Sequence, residues 1–393
     1  MNASKRHIVF LARWYPYCAD PMFGLFVQRH AQAVAPYQNI SVVYAHALPD
    51  LEQKIKLEQT IRNGVNEIHT YYRKPKSESF WSKIIAMHRF LKANKQGVRE
   101  AKKIHGNVDL IHVHVLTRLG VLALYYKTIS RIPYMITEHW SRYLPGNDFN
   151  GFFHKRLTRL VVKKAEMVTT VSKNLANAMQ NHGLKNKHYA ILPNVVDMDM
   201  FHISETETKN EKTRIVHVSC FEDKSKNISG ILRVLNELKK QQFDFECILV
   251  GDGIDFQKMK LYATKLELDS VVRFTGVLEG KQVADEIMKA DFMILFSNYE
   301  TQGVVLLENF ACGRPAIATR VGGIPEIVDD ENGLFVPPGD EQMFLKAIKE
   351  MIQRHKTYDP QRIRQKVEQQ YGNEHVGSLM NQWYLKIIEK HHL

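Results

Sequence analysis

Cysteine is scarce and scattered. Cys18, Cys220, Cys247 and Cys312 stand singly along 393 residues, with no C-x-x-C pair among them. That spacing offers neither a disulfide framework nor a zinc site, and it fits a reducing compartment such as the cytoplasm. Long apolar runs are missing too: no stretch of the chain approaches the ~18–20 residues that span a bilayer. The opening segment MNASKRHIVFLARWYP starts basic, but its apolar run is strand-length and interrupted by Arg13. It reads as a first buried strand rather than a signal peptide. There is no low-complexity tract, and 44% hydrophobic with 24% charged residues is ordinary for a globular enzyme. The chain is too long for one core, so two domains of roughly 150–200 residues are expected.

Acid is short relative to base, 42 Asp and Glu against 54 Lys and Arg, and the net charge of +12 is unevenly spread. From Arg73 to His105 ten bases face only Glu78 and Glu100, a net of +8. A second cluster, FFHKRLTRLVVKKA from Phe152 to Ala165, carries five bases and no acid. In both, the bases alternate with aliphatic or aromatic residues at helical spacing, among them Phe80, Trp81, Ile84, Ile85, Phe90 and Leu91. Such helices are attracted to an anionic membrane surface; a solvated basic face over an ordinary core stripe is the other reading. No nucleic-acid recognition motif accompanies the charge, so nucleic acid is not expected as a partner.

Short β-rich runs alternate with helical stretches, which predicts a parallel sheet with crossover helices. The first-half strands are 7–12, 40–47, 109–115, 134–139, 167–172 and 189–194, with helices such as Gly24–Ala35 and the one after Ser172. The segment HISETETKNEKT, 202–213, is polar and reads as an interdomain linker. The alternation then restarts with strands at 214–219, 246–251, 271–276, 291–297, 315–320 and 333–338. The expected α/β architecture is therefore two doubly wound, Rossmann-like domains, residues 1–201 and 214–375, with a helix at 376–393 crossing back to the first. Ligands of such sheets sit at the carboxyl ends of the strands, so the cleft between the domains is the expected site.

One strand end carries unusual chemistry. In NYETQGVVLLENFACGRP, 298–315, Glu300 and Glu308 flank an apolar run too continuous for a surface helix. The reading that fits is a strand, a loop through Gly303, then a buried helix whose free N–H groups and dipole suit a phosphate. Carboxylates accept hydrogen bonds from vicinal hydroxyls. One acid for a ribose, one for a second sugar, and amides between them describe a nucleotide-sugar.

With ACGRPAIATRVGGIPE following the E-x7-E spacing, the chain resembles the retaining GT-B glycosyltransferases of family 4. The resemblance extends to DPMFGLFVQRHAQAVA, YMITEHW, VTTVSKNLANAM, ILPNVVDMDMF, LVGDG, VRFTGVL and NGLFVPPGD. It implies a domain 1–201 that binds acceptor and a domain 214–375 that binds the nucleotide-sugar. Glu300 would meet the donor sugar, the amides of Gly303, Val304 and Val305 the distal phosphate, and Glu308 the ribose. Lys226 would neutralise the departing diphosphate. Thr275, Gly276 and Val277 would meet the base through backbone groups, Gly24 the phosphates, and His139 the donor sugar and reaction centre. The implied reaction is metal-independent sugar transfer with retention, using no cofactor, from a UDP-sugar in preference to a GDP-sugar. The basic helices point to a lipid-linked glycan acceptor in lipopolysaccharide or capsule synthesis, at the inner face of the cytoplasmic membrane. A soluble acceptor, or a non-catalytic scaffold of the same fold, are the competing readings.

Other signals are weaker. Asp197-Met198-Asp199 forms a DxD, but inside PNVVDMDMF it reads as a turn into the linker. His112 and His114 share a strand face with no third zinc ligand at suitable spacing, so a buried hydrogen-bonded pair is expected. Gly251-Asp252-Gly253 lacks the third glycine of a dinucleotide fingerprint. Cys220 stands where the family usually has an arginine that clamps the diphosphate, with Lys224 or Arg320 as possible substitutes.

Overall fold

A computed structural model describes residues 5–75, 77, 79–145, 149–204 and 211–392. Two compact units emerge: Met1–Val195 with Asn373–Leu393, and Val196–Gly372. The first boundary lies before the expected residue 201, because the segment after Val195 packs into the second unit. Val196, Met198 and Phe201 are buried in that unit's core, and Arg364 donates to the carbonyls of Met198 and Phe201 at 2.8 and 2.6 Å. Of the expected linker, 205–210 lie outside the described residues, as do Lys76 and Glu78 of the first basic cluster.

The first unit runs β1 (His7–Ala12), α1 (Leu25–Val34), β2 (Asn39–Leu48), β3 (Ile55–Arg62), β4 (Val65–Arg73), α2 (Phe80–His105), β5 (Leu110–His114) and α3 (Thr117–Ser130). It continues through β6 (Tyr134–Glu138), α4 (Phe152–Lys164), β7 (Met167–Thr170), α5 (Lys173–Asn181) and β8 (Tyr189–Ile191). The sheet order is β3-β4-β2-β1-β5-β6-β7-β8. All neighbours are parallel except β3 and β4, a hairpin that the strand assignments from sequence omit. Its turn is Asn63-Gly64 with φ of 47° and 76°, the positive-φ pair that a two-residue hairpin demands. The signal was therefore present as N-G; the polar, mostly exposed β3 hid it.

Strand alternation divides the core into two layers. Ile8 and Phe10 of β1 face α1, while Val9 and Leu11 face α2 to α5. The second unit runs β9 (Thr213–Val218), α6 (Asp223–Lys226), α7 (Ile228–Lys240), β10 (Phe245–Val250), α8 (Phe256–Lys265), β11 (Val272–Gly276) and α9 (Lys281–Lys289). Then come β12 (Phe292–Leu295), α10 (Val304–Ala311), β13 (Ala316–Thr319), β14 (Gly333–Val336), α11 (Glu341–Arg354) and α12 (Pro360–Tyr371). Its six strands form a wholly parallel sheet, β11-β10-β9-β12-β13-β14. Each agrees with its expected strand to within two residues. The order reverses between β9 and β12, and in the first unit between β1 and β5. These are the switch points at whose carboxyl ends doubly wound sheets bind ligands.

The last helix, α13 (Asn373–His392), returns to the first unit. Val376, Met380, Tyr384 and Ile388 join the layer that buries α1. Among the described residues no helix is long and apolar enough to cross a membrane.

Contact between α1 and α13 depends on Gly377, where a Cβ would lie 2.0 Å from the Ala33 carbonyl oxygen. Because that obstacle is backbone, Gly377→Ala should destabilise the chain by roughly 1–3 kcal/mol, read as a lower urea midpoint. An unchanged midpoint would show that the helix spacing is not set there.

Candidate active site

The second unit's switch point carries a largely buried ion pair. The loop after β9 leads into α6, which ends in Lys226, and the loop after β12 presents Glu300. Lys226 Nζ donates to Glu300 Oε1 at 2.5 Å, and Ser297 Oγ donates to the same oxygen at 3.0 Å. The side chains are 16% and 11% exposed. Burial lowers the lysine's affinity for its proton, but the Glu300 carboxylate and then Cys220 outweigh it, so its pKa stands above the ordinary value. Lys226 is thus a cation throughout the neutral range.

Backbone close approach holds the two loops. Asn298 donates from its amide N–H to the Ser225 carbonyl at 2.8 Å and from its side chain to the Lys224 carbonyl at 3.0 Å. A Cβ on Gly322, at φ +55°, would lie 1.7 Å from the Glu300 carbonyl oxygen. One on Gly251, at φ +128°, would lie 1.9 Å from Ser219 O. So two glycines read from sequence only as family motif are spacers that let neighbouring loops carry Glu300 and Lys226. Asp255 joins them, its carboxylate accepting the Asp223 N–H at 2.9 Å. None of these three was expected as a site residue, although G-D-G after β10 and G-G after β13 were visible.

Gly303 adopts φ 84° and caps α10 with no side-chain hydrogen bond. The amides of Gly303, Val304 and Val305 therefore begin the helix just after Glu300, with Glu308 buried one turn further on. Thr275, Gly276 and Val277 close β11. Thr275 Oγ1 donates to Gly276 O at 2.8 Å, Gly276 has φ 73°, and Val277 is exposed. Cys220 is exposed, and of the suggested arginine substitutes Lys224 is exposed while the Arg320 guanidinium sits 3.9 Å from the Phe335 ring centre. Asp197 is engaged in its own turn, its Oδ1 accepting the N–H groups of Asp199 and Met200 at 3.2 and 3.0 Å.

Gly24 and His139 belong to the other unit. Gly24, with φ +69°, lies against the Trp14–Tyr15 backbone, where a Cβ would come within 2.3 Å. His139 follows β6 and is 6% exposed, its Nε2 3.2 Å from His114 Nδ1. His112 is bound by Tyr384 Oη at 2.7 Å and Thr137 Oγ1 at 2.6 Å, and no hydrogen bond joins it to His114 among the described residues. Both histidines are buried and hydrogen-bonded, as expected, but to different partners. The fold also supplies the third histidine that spacing did not, since ligand nitrogens of His30, His114 and His139 lie within 4.8 Å of one another. His30 places its ring nitrogens 2.8 and 2.9 Å from the carbonyl oxygens of Phe26 and Pro193, of which a neutral ring donates to only one. Burial, followed by neighbouring histidines, drives His114 and His139 well below the ordinary value, so His139 is a neutral imidazole at pH 7.

Comparison with known proteins bears on both units. The family described as Glycosyltransferase Family 4 matches residues 39–200, and that described as Glycosyl transferases group 1 matches 200–370. The N-acetyl-alpha-D-glucosaminyl L-malate synthase of Bacillus anthracis is 27% identical over 72% of this chain and 76% of its own. The alpha-monoglucosyldiacylglycerol synthase of Streptococcus pneumoniae is 24% identical over 57% and 54%. The fold is shared with Anabaena HepE, solved in complex with UDP, at a TM-score of 0.71 and 17% identity over 97% of this chain and all of that one.

A pH dependence follows from the buried imidazoles. Burial lowers His30 and His217 from 6.5 to about 4 and lowers His112, His114 and His139 as well. The unfolded chain therefore binds more protons below pH 6.5, so stability falls as pH drops from about 6.5 towards 4. Urea midpoints at pH 7.5, 6.0 and 5.0 should decline in that order; a flat series would mean that the native imidazoles are charged.

Proposed function

This chain belongs to the group 1 glycosyltransferases, and we propose that it moves a sugar, with retention, from a nucleotide diphosphate sugar to a lipid-linked glycan acceptor. The observation that carries this reading is the Lys226–Glu300 pair beside the uncapped N-terminus of α10. A permanent cation and aligned amides at one strand end are suited to a leaving diphosphate, whose developing charge they stabilise electrostatically. Glu300 and Glu308 supply acceptors for sugar and ribose hydroxyls. These groups provide the positive charge without a metal ion. UDP is the preferred nucleotide, supported by the UDP complex of the HepE structure.

The acceptor reading draws on two features. The Streptococcus pneumoniae relative is named for a glucosylated diacylglycerol. In this chain α2 and α4 are basic and expose Phe80 and Trp81, each 71%, with Phe152 at 72% and Phe153 at 85%. Aromatic side chains standing in solvent beside lysines suit the interface of an anionic bilayer, here the inner face of the cytoplasmic membrane. Lipopolysaccharide, capsule or related surface-glycan assembly fits such an enzyme.

In a thermal-shift panel of UDP, GDP and ADP with chelator present, UDP at ~100-fold its dissociation constant should add about 2.7 kcal/mol and raise Tm. No shift with any nucleotide would favour the scaffold reading over the enzyme. With a turning-over donor, Glu300→Ala and Lys226→Ala should each slow transfer about 10²-fold or more; near-native rates in both would remove these residues from the mechanism. The chain should sediment with vesicles containing anionic lipid, not with neutral ones, and high salt should release it. Indifference to lipid charge would favour a soluble acceptor.

A further inference from the structure

The first unit has a switch point of its own, and arginines surround it. Arg13 follows β1, Arg118 opens α3 just after β5, and Arg142 follows β6. All three line one cavity of about 620 Å3, within the range of small-molecule sites. Among the described residues neither the Arg13 nor the Arg118 guanidinium makes a hydrogen bond or ion pair. Both instead flank the ring of Phe90, at 6.0 and 5.9 Å. Burial, and then the charge of Arg118, lower the pKa of Arg13, so two like charges face each other. Glu138 acts electrostatically on Arg142, and its oxygens also accept the N–H groups of Leu116, His139 and Trp140 at 3.0, 2.9 and 2.9 Å. Arg13 and Arg118 thus bring positive charge to the cavity with no carboxylate in ion-pair contact with either among the described residues.

Beside the arginines, His154 and Thr158 add polar groups, and the rest of the lining is apolar and leads outward. Met87 and Leu91 line the cavity from α2, and on the same helical stripe, at i−3 and i−7 from Met87, stand exposed Ile84 and Phe80. On α4, Leu157 and Val161 line it, with exposed Phe153 one turn before Leu157. Two apolar stripes thus run from solvent-exposed aromatics to a cluster of guanidiniums. An amphiphile with an anionic head and a hydrocarbon tail matches that gradient. A free anion would leave the stripes unused, and a neutral lipid would leave the charges unmatched.

We propose that this cavity binds the phosphate or diphosphate of a lipid-linked acceptor, the arginines holding the anion and the α2 and α4 stripes carrying the chain towards the bilayer. This inference depends on the lipid-acceptor reading above and gives its chemical class. Arginine is suited to the task because its planar fork pairs with phosphate oxygens bidentately and stays charged.

The test uses the full chain and soluble probes: farnesyl diphosphate, farnesol and inorganic diphosphate, followed by titration calorimetry. Farnesyl diphosphate should bind, and each of the other two should bind at least about tenfold more weakly. Arg118→Gln, at an exposed position, should weaken farnesyl diphosphate about tenfold or more, as should Leu157→Glu, while the UDP-induced thermal shift stays unchanged in both. Absence of binding, equal affinity for inorganic diphosphate, or binding insensitive to Arg118→Gln and displaced by UDP would each overturn the proposal. If UDP fails to bind while farnesyl diphosphate binds through Arg118, the donor assignment falls and this one stands. If UDP binds while farnesyl diphosphate does not, the donor site stands and the lipid site falls.

Discussion

Lys226 and Glu300 are 74 residues apart in the chain and 2.5 Å apart in space. What joins them is the adjacency of β9 and β12, two strands that are neighbours only because the sheet grows outward in both directions from β9. Parallel strands buried on both faces keep any polar group along their length fully bonded, as His217 is in β9, so groups that must meet a ligand gather at the strand ends. Once there, the pair must be fully matched. Removing either partner would leave the other charge largely desolvated and unmatched. The second unit's glycines follow from this constraint: Gly251 and Gly322 stand where any Cβ would push apart the loops that bear the pair.

The first unit answers the same constraint differently. Its strand ends gather neutral groups on one side of the sheet and cations on the other. His112, His114 and His139 lie in the α1 and α13 layer, with Tyr384 of α13 hydrogen-bonded to His112. Burial without a counter-charge keeps these rings neutral. On the α2 and α4 side, Arg13 and Arg118 keep their charge beside an aromatic ring. A neutral cluster and a cationic one thus arise from a single run of strand termini.

Surface chemistry extends this asymmetry. The aromatic residues that α2 and α4 leave in solvent occupy the opening turns of each helix, while their later turns pack on the sheet through Phe90, Val161 and Val162. Each helix is therefore two things along its length: core at one end and apolar surface at the other. That division explains why the basic clusters read ambiguously in sequence, since the later turns form an ordinary core stripe while the opening turns leave apolar side chains in solvent.

The sequence by itself determined the strands and their parallel alternation, because runs such as HIVFLA and FMIL are apolar on both faces and bounded by turn residues. It also determined that Glu300 begins a loop ahead of a buried helix, since four consecutive aliphatic residues cannot face water. It did not yield β3, which is polar and mostly exposed, or the buried β4 that pairs with it, although Asn63-Gly64 marked the turn between them. Nor did it yield the first boundary, because whether Val196, Met198 and Phe201 bury in one core or another is a matter of tertiary contact. The meeting of Lys226 with Glu300 came from family resemblance and was decided by sheet order, which no local pattern encodes. Likewise His30 joined His114 and His139, and Arg13 joined Arg118, only when the strand order set their termini side by side. Local patterning reports which way a residue faces; which distant residue it faces is set by the cooperative packing of the whole sheet.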